Sequence, residues 1–130
     1  MRIRRTVGPT VGVLLALSLA CGTSDLLGPG ALQGIDGMVL LGPQCPVMSL
    51  ENPCPDLPYR AWITIRRTTG GVVTRVRSTE DGHFRVGLRP GQYVLDPESG
   101  DPFPVATEQE ATVVEGVYTE VVINFDTGIR

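Results

Sequence analysis

Three cysteines are the residues of this chain whose positions point most directly to chemistry. Cys21 follows Ala20 and a short apolar stretch, residues 11–19, which itself comes after a start with three arginines. This order is typical of an export signal, and the apolar stretch is too short to span a bilayer permanently. A cysteine directly after such a segment predicts a lipoprotein. The signal peptide, residues 1–20, is then removed, and the acylated Cys21 holds the chain to a membrane.

The leader leaves two other outcomes open. Ser18 stands where lipoprotein signals usually carry Leu, and Ser18 with Ala20 also fits the small-x-small pattern of ordinary secretory cleavage. That cleavage would leave a free thiol at the N-terminus of an exported protein. The third outcome is an uncleaved anchor. We expect an exported protein anchored in the cell envelope, at the outer membrane where the host has one, because Gly22 is not an Asp retention signal.

Cys45 and Cys54 are predicted to form a disulfide. Cysteines in an oxidising compartment usually pair, and closing a loop of about ten residues stabilises a fold by about 2.5–3 kcal/mol in the chain-entropy model. Two sulfurs without a neighbouring His fall short of a four-ligand metal site. A redox dithiol favours a tighter Cys-x-x-Cys spacing.

Catalytic and metal-binding patterns are weak in the rest of the chain. His83 is the one histidine and falls on the outward side of a predicted strand, which is typical of an exposed strand residue. The Asp-Thr-Gly at 126–128 is similar to the aspartic protease motif, but only two residues follow it, too few for the rest of such a cleft. Asp96, Glu98 and Asp101 offer the oxygen ligands that Ca²⁺ takes, in a spacing that matches no established calcium loop. The sequence therefore predicts no catalytic residue, metal ion or cofactor.

Tyr59 and Trp62 lie near the cysteine pair, at the start of a predicted strand. Aromatic faces stack on sugar rings and anchor protein interfaces, so the two side chains form a candidate ligand platform, with packing at the end of the core as the alternative. A candidate basic stripe occupies outward strand positions, with cross-strand pairing to glutamates such as Glu120 as the alternative. Its members are Arg66, Arg75, Arg77 and Arg85.

Length and charge bound the organisation and the partners. After the leader the chain is short enough for one domain, residues 33–130, which follows a Gly- and Pro-rich stretch, residues 21–32, predicted to be a flexible tether. Removing the leader takes three of the eleven basic residues and none of the fourteen acidic ones, so the processed chain has a net charge of about −6. An acidic domain without Lys lacks the electrostatic footprint of a nucleic-acid binder.

Short strands separated by turns must position these groups. Apolar and polar residues alternate, while Asp81 with Gly82 and Pro90 with Gly91 mark tight turns. The pattern predicts about seven strands of an antiparallel β-sandwich, at residues 34–41, 61–67, 72–79, 83–88, 92–95, 111–115 and 117–125. One parity of each strand is expected to face inward. The predicted core positions are Ile63, Ile65, Phe84, Val86, Leu88, Tyr93, Leu95, Val121, Ile123 and Phe125.

Two stretches resemble a known family. Residues 79–84 (TEDGHF) and 88–95 (LRPGQYVL) are similar to the T-x-x-G-x-F and L-x-P-G-x-Y-x-L signature of carboxypeptidase regulatory-like domains, and Gly34, Gly37 and Val39 resemble the family's first strand. The resemblance implies a transthyretin-like, Ig-like sandwich related to the Cna-B repeats of surface adhesins. These motifs encode turns and core positions. Members of the family are often structural, accessory or carbohydrate-binding-like modules, so the resemblance implies fold and broad class.

The sequence therefore predicts a non-enzymatic envelope lipoprotein with a structural or partner-binding sandwich. The alternative is a carbohydrate-binding module at the cell surface, which requires Tyr59 and Trp62 to form an exposed platform. The expected partners are the membrane, through the N-terminal lipid, and an envelope protein or a carbohydrate.

Overall fold

The computed structural model describes residues 25–28, 30–47 and 49–130. This part of the chain forms nine strands in two packed sheets and contains no helix, so the predicted all-β sandwich is confirmed. No helix among these residues has the length and hydropathy that crossing a membrane requires. The strands are β1 (Leu26–Leu27), β2 (Gly34–Gly42), β3 (Leu57–Pro58), β4 (Trp62–Arg67), β5 (Val72–Arg77), β6 (His83–Leu88), β7 (Gly91–Pro97), β8 (Gln109–Val113) and β9 (Tyr118–Asp126).

The nine strands are divided between two sheets. In the first sheet, β2 lies between β9 on one side and both β6 and β3 on the other, and β1 pairs with the far edge of β6. The second sheet has the order β5-β4-β7-β8, and all of its pairs are antiparallel. Between the sheets lies the apolar core, as expected for a sandwich.

One strand pair departs from the predicted antiparallel arrangement. Strand β9 runs parallel to β2, from Gly34 beside Tyr118 to Gly42 beside Asp126. The preceding strand, β8, belongs to the other sheet, so the chain crosses between sheets before β9 begins. A tight hairpin forces its two strands to be antiparallel, whereas a crossing connection leaves the direction free.

The predicted core is confirmed, with additions. All ten predicted positions are buried except Val121, which is partly buried and packs against the core. The remaining buried apolar side chains come mainly from strands for which no inward-facing residues were predicted. They are Ile35, Val39, Ala61, Ala111 and Val113.

The described part of the predicted tether is joined to the sandwich. Leu26 pairs with Leu88, and Leu27 pairs with Gly87, so this segment adds a short strand to the open edge of β6. An unpaired strand edge presents free N–H and C=O groups, which a neighbouring segment satisfies. Leu26 and Leu27 are therefore part of the first sheet, although they precede the predicted domain start at residue 33.

Candidate functional site

The N-terminal end of the sandwich is held by Asp25. Cys21, the predicted lipidation site, lies outside the described residues, four positions before Asp25. The Asp25 carboxylate accepts a hydrogen bond from Nε of Arg67 and forms an ion pair with it. Its carbonyl oxygen accepts the backbone N–H of Arg89 at 2.9 Å. Asp25 is therefore held at the end of the sandwich where β4 and β6 finish.

A disulfide joins Cys45 and Cys54, as predicted, with their Cα atoms 6.0 Å apart. The bridge lies in the connection between β2 and β3, residues 43–56, which we call the stapled loop. Inside it, the backbone N–H of Asn52 donates to Oγ of Ser49 at 3.1 Å. The cross-link and this turn limit the conformations that the loop can adopt.

The tip of the stapled loop exposes apolar side chains. Leu50 is fully exposed, at 103% relative accessibility, and Val47 is exposed at 81%. Leu50 also lines an open groove of about 600 Å³. Its lining residues are Ser49, Leu50, Pro53, Cys54 and Pro55. Scattered apolar residues are ordinary on a surface, but apolar side chains collected on one cross-linked loop are typical of an interaction site.

The C-terminal segment holds the base of the stapled loop. The backbone N–H of Thr127 donates to the carbonyl of Gly42 at 3.0 Å, and its hydroxyl donates to the carbonyl of Pro43 at 2.6 Å. The Asp-Thr-Gly at 126–128 thus forms hydrogen bonds that fix the start of the loop.

Asp126 stabilises this segment through charge. Its carboxylate accepts a hydrogen bond from Arg130 at 2.8 Å and another from the backbone N–H of Gly128 at 2.8 Å. These two hydrogen bonds, first that from Arg130, lower the pKa of Asp126 from 3.8 to about 2. The carboxylate is therefore ionised at neutral pH and holds the residues that follow the last strand.

Tyr59 and Trp62 lie on different sides of the chain. The Tyr59 ring packs against the core, edge-on to Phe125 with 5.0 Å between ring centroids. Trp62 is on the outer face of the second sheet, where the guanidinium groups of Arg75 and Arg77 lie 4.0 and 5.4 Å from its ring centroid. The two rings therefore do not present one shared platform, and the face of Trp62 is covered by cations.

His83 lies on the outward side of β6, as its alternation predicted, and is exposed. Its Nε2 is 2.5 Å from Oδ1 of Asp36 on the neighbouring strand. On the same face, the guanidinium of Arg85 lies 3.7 Å from the ring centroid of Tyr118. These are surface contacts on an open sheet, and exposed contacts of this kind contribute little to stability.

The arginines of the candidate stripe have individual partners. Arg66 contacts Glu108 at 2.7 Å, and Arg75 contacts Glu98 at 2.5 Å, so their acidic partners differ from the Glu120 named above. The hydrogen bond to Glu108 raises the pKa of Arg66. Glu98, considered above as a calcium ligand, is thus held by an arginine. The described residues contain no group of three His, Cys, Asp or Glu side chains arranged to hold a metal ion.

Ser78 is a buried polar side chain that the sequence reasoning missed. It is 1% exposed, and its hydroxyl accepts the N–H of Ala61 at 2.8 Å and donates to the carbonyl of Tyr59 at 2.8 Å. These bonds fix the segment that leads from the stapled loop into β4. Its burial could have been predicted from alternation, because Ser78 is two residues after Val76 and so falls on the same, inward side of the predicted strand.

Comparison with known proteins identifies no family for this chain. No family model matches the chain, and no curated protein matches it. Among solved structures, the Bacillus anthracis TIE protein matches with a TM-score of 0.48 and 16% sequence identity. The match covers 73% of this chain but 17% of that protein, so the chain corresponds to a small part of its length. These comparisons leave the resemblance to carboxypeptidase regulatory-like domains unconfirmed, and the sandwich itself is established by the structure.

Proposed function

We propose that this chain is an exported lipoprotein, anchored by an acylated Cys21, whose sandwich is a non-enzymatic module that binds a partner in the cell envelope. The observation that carries the proposal is the position of Asp25, which Arg67 and Arg89 hold against the sandwich. At most about 15 Å of extended chain separates positions 21 and 25. A lipid at Cys21 therefore keeps the sandwich beside the membrane, with one end directed toward it.

The turns and the core support a carboxypeptidase regulatory-like type of sandwich. The turn at Asp81 and Gly82 leads directly into Phe84, and the turn at Pro90 and Gly91 leads into Tyr93. Both rings are buried. A turn that positions a core ring two residues later is what the signature of that family encodes. In such a domain the residues of the signature build the fold, and binding is left to the loops and faces.

Polar side chains of the described part form pairs that stabilise the sandwich, which favours a binding module over an enzyme. The exposed pairs of Arg66 with Glu108 and Arg75 with Glu98 cross between strands or loops. His83 is on an open sheet face with Asp36. Catalysis needs polar groups that converge in a concave site from which water is excluded.

The carbohydrate-binding alternative is not favoured by the placement of the aromatic residues. A sugar ring stacks on a free aromatic face, whereas the ring of Trp62 has a guanidinium 4.0 Å from its centroid and that of Tyr59 packs on the core. Binding of soluble glycans that is lost in Trp62→Ala would restore this alternative.

Lipidation is tested on the full chain expressed in a bacterial host. Intact mass measurement is expected to give a mature protein that begins at Cys21 with two or three acyl chains, and the protein is expected to enter the detergent phase on partition. Cys21→Ser is the matched control and is expected to stay in the aqueous phase without acyl chains. A wild-type chain that begins at Cys21, carries no acyl group and stays in the aqueous phase would refute the anchor.

A further inference from the structure

The two ends of the sandwich differ in what they present. Strand β1 pairs with the end of β6, which lies beside the start of β2. Asp25, which precedes β1 and follows Cys21 by four residues, is therefore at this end of the sandwich. Strand β2 then runs away from it and enters the stapled loop after Gly42. Eight residue steps of about 3.3 Å each place the two ends of β2 roughly 26 Å apart. The anchored end and the stapled loop are therefore at opposite ends of the domain.

We propose that the described part of the stapled loop, residues 43–47 and 49–56, is the docking surface of this protein, and that its partner is another protein with an apolar contact bordered by Lys and Arg. The inference rests on the proposed anchoring at Cys21. The anchored sandwich would present this surface to its partner.

The loop has the physical properties of a docking surface that exists before binding. Val47 and Leu50 are exposed, and an apolar groove lies beside Leu50. The Cys45–Cys54 bridge and the hydrogen bonds of Thr127 to the loop base hold this shape in the free protein. A surface that is already ordered loses little conformational entropy on binding.

The charge of the loop selects the partner. The stapled loop carries Glu51 and Asp56 and no basic residue, and both acidic residues are exposed. Complementary potentials favour a partner with basic side chains around its apolar contact. A second copy of this chain would place like charges against each other across a two-fold interface, so self-association through the loop is disfavoured.

The same geometry disfavours the membrane as the occupant. The linker of at most about 15 Å holds the opposite end of the sandwich near the lipid, which turns the stapled loop away from that surface. Anionic lipid headgroups repel acidic side chains and attract Lys and Arg, and the charged residues of the loop are all acidic. The loop also lacks the Trp and Tyr residues that are enriched at membrane interfaces.

The test uses a photoreactive diazirine amino acid at position 50 of the full-length lipoprotein, irradiated in intact cells. The matched control carries the same amino acid at position 117, because Val117 is also exposed and apolar but lies just before β9, at the anchored end. We expect one discrete protein adduct from position 50 and none of that mass from position 117. Peptide sequencing of the adduct is expected to show Lys or Arg beside the cross-linked residue of the partner.

Second-site variants decide whether the adduct reports docking. Val47→Asp and Glu51→Arg are each expected to lower its yield by about tenfold or more, as for central residues of an interface, whereas Val117→Asp is expected to leave it unchanged. An adduct that survives both loop changes would overturn the proposal. So would a phospholipid adduct, an adduct of twice the chain's own mass, or no adduct.

Failure of the anchor is distinguishable from failure of the docking surface. Intact mass of the same samples reports acylation at Cys21, independently of the cross-link. An unacylated chain that still gives the loop-dependent adduct would overturn the proposed anchoring and leave the docking surface supported. An acylated chain without the adduct would overturn the docking surface alone.

Discussion

The packing of Phe84 against Gly37 gives a prediction that the structure makes quantitative. The two residues are direct neighbours on β6 and β2. A Cβ atom added at Gly37 would lie 2.1 Å from two atoms of the Phe84 ring, Cε1 and Cζ, a separation that packed atoms do not show. Phe84 is 4% exposed, so its ring has little room to move. Gly37→Ala should therefore force the ring out of its place.

The magnitudes follow from core packing. Phe84→Ala should cost about 3–5 kcal/mol in the free energy of unfolding, a large share of the 5–15 kcal/mol typical of a small domain. Gly37→Ala should cost about 1–3 kcal/mol through overpacking. In the Phe84→Ala background the ring is absent and the added methyl group enters the space it leaves. Gly37→Ala should then cost little, which gives a coupling of about 1–3 kcal/mol between the two changes.

The assay is a double-mutant cycle measured by denaturant unfolding with comparable m-values. His83→Ala is the control, because it is adjacent to Phe84 but exposed on the opposite side, and it should cost about 0.5 kcal/mol or less. Equal costs of Gly37→Ala with and without the Phe84 ring would contradict the packing described here. A greater loss from His83→Ala than from Phe84→Ala would mean that the register of β6 is wrong.

Two further predictions concern polar groups. Ser78→Ala removes the acceptor of the buried Ala61 N–H and should lower the free energy of unfolding, measured by thermal melts, by about 1–3 kcal/mol. The control, Ser99→Ala at an exposed site, should lower it by less than half as much. Equal losses would contradict the structural role of Ser78. Because the folded pKa of Asp126, about 2, lies below its usual 3.8, its contribution to stability is complete above about pH 4 and is lost as the pH falls through about 2. Arg130→Ala should raise the NMR-titrated pKa of Asp126 toward its usual value, and an unchanged pKa would show that Arg130 is not the cause.

Alternation and turn chemistry were enough to predict most of the sandwich. Strand β6 has the predicted bounds, and its inward residues Phe84, Val86 and Leu88 are all buried. A period of two fixes the side of every residue once one face is buried. The flanking turns fix where the strand begins and ends, so local sequence carries this information.

Two short strands and one strand direction could not be predicted in the same way. Strands β1 and β3 have two residues each, and two residues show no periodicity. Both strands exist because neighbouring strands leave edges open, which is a property of the assembled sheet. The parallel direction of β9 also depends on the crossing from the other sheet, because the turn at residues 114–117 does not by itself specify which strand β9 pairs with.

The disulfide is the part of the candidate site that could be predicted from the sequence. The spacing of Cys45 and Cys54 and the expected compartment sufficed for the disulfide, which is confirmed. Tyr59 and Trp62 were grouped because they are close in sequence, but Tyr59 lies in the connection before β4, where its ring meets Phe125, whereas Trp62 begins β4 and faces outward. The exposure of Leu50 follows from the path of the loop, on which periodicity gives no information.

The role of the Asp-Thr-Gly at 126–128 follows from the direction of β9. Because β2 runs from the end of the sandwich near Asp25 to the stapled loop and β9 is parallel to it, β9 must end beside the base of that loop. Thr127 is then in position to bind the carbonyls of Gly42 and Pro43. An antiparallel β9 would end at the Asp25 side and leave those carbonyls without this donor. The parallel direction of β9, which the sequence did not predict, therefore places the C-terminal segment against the proposed docking surface.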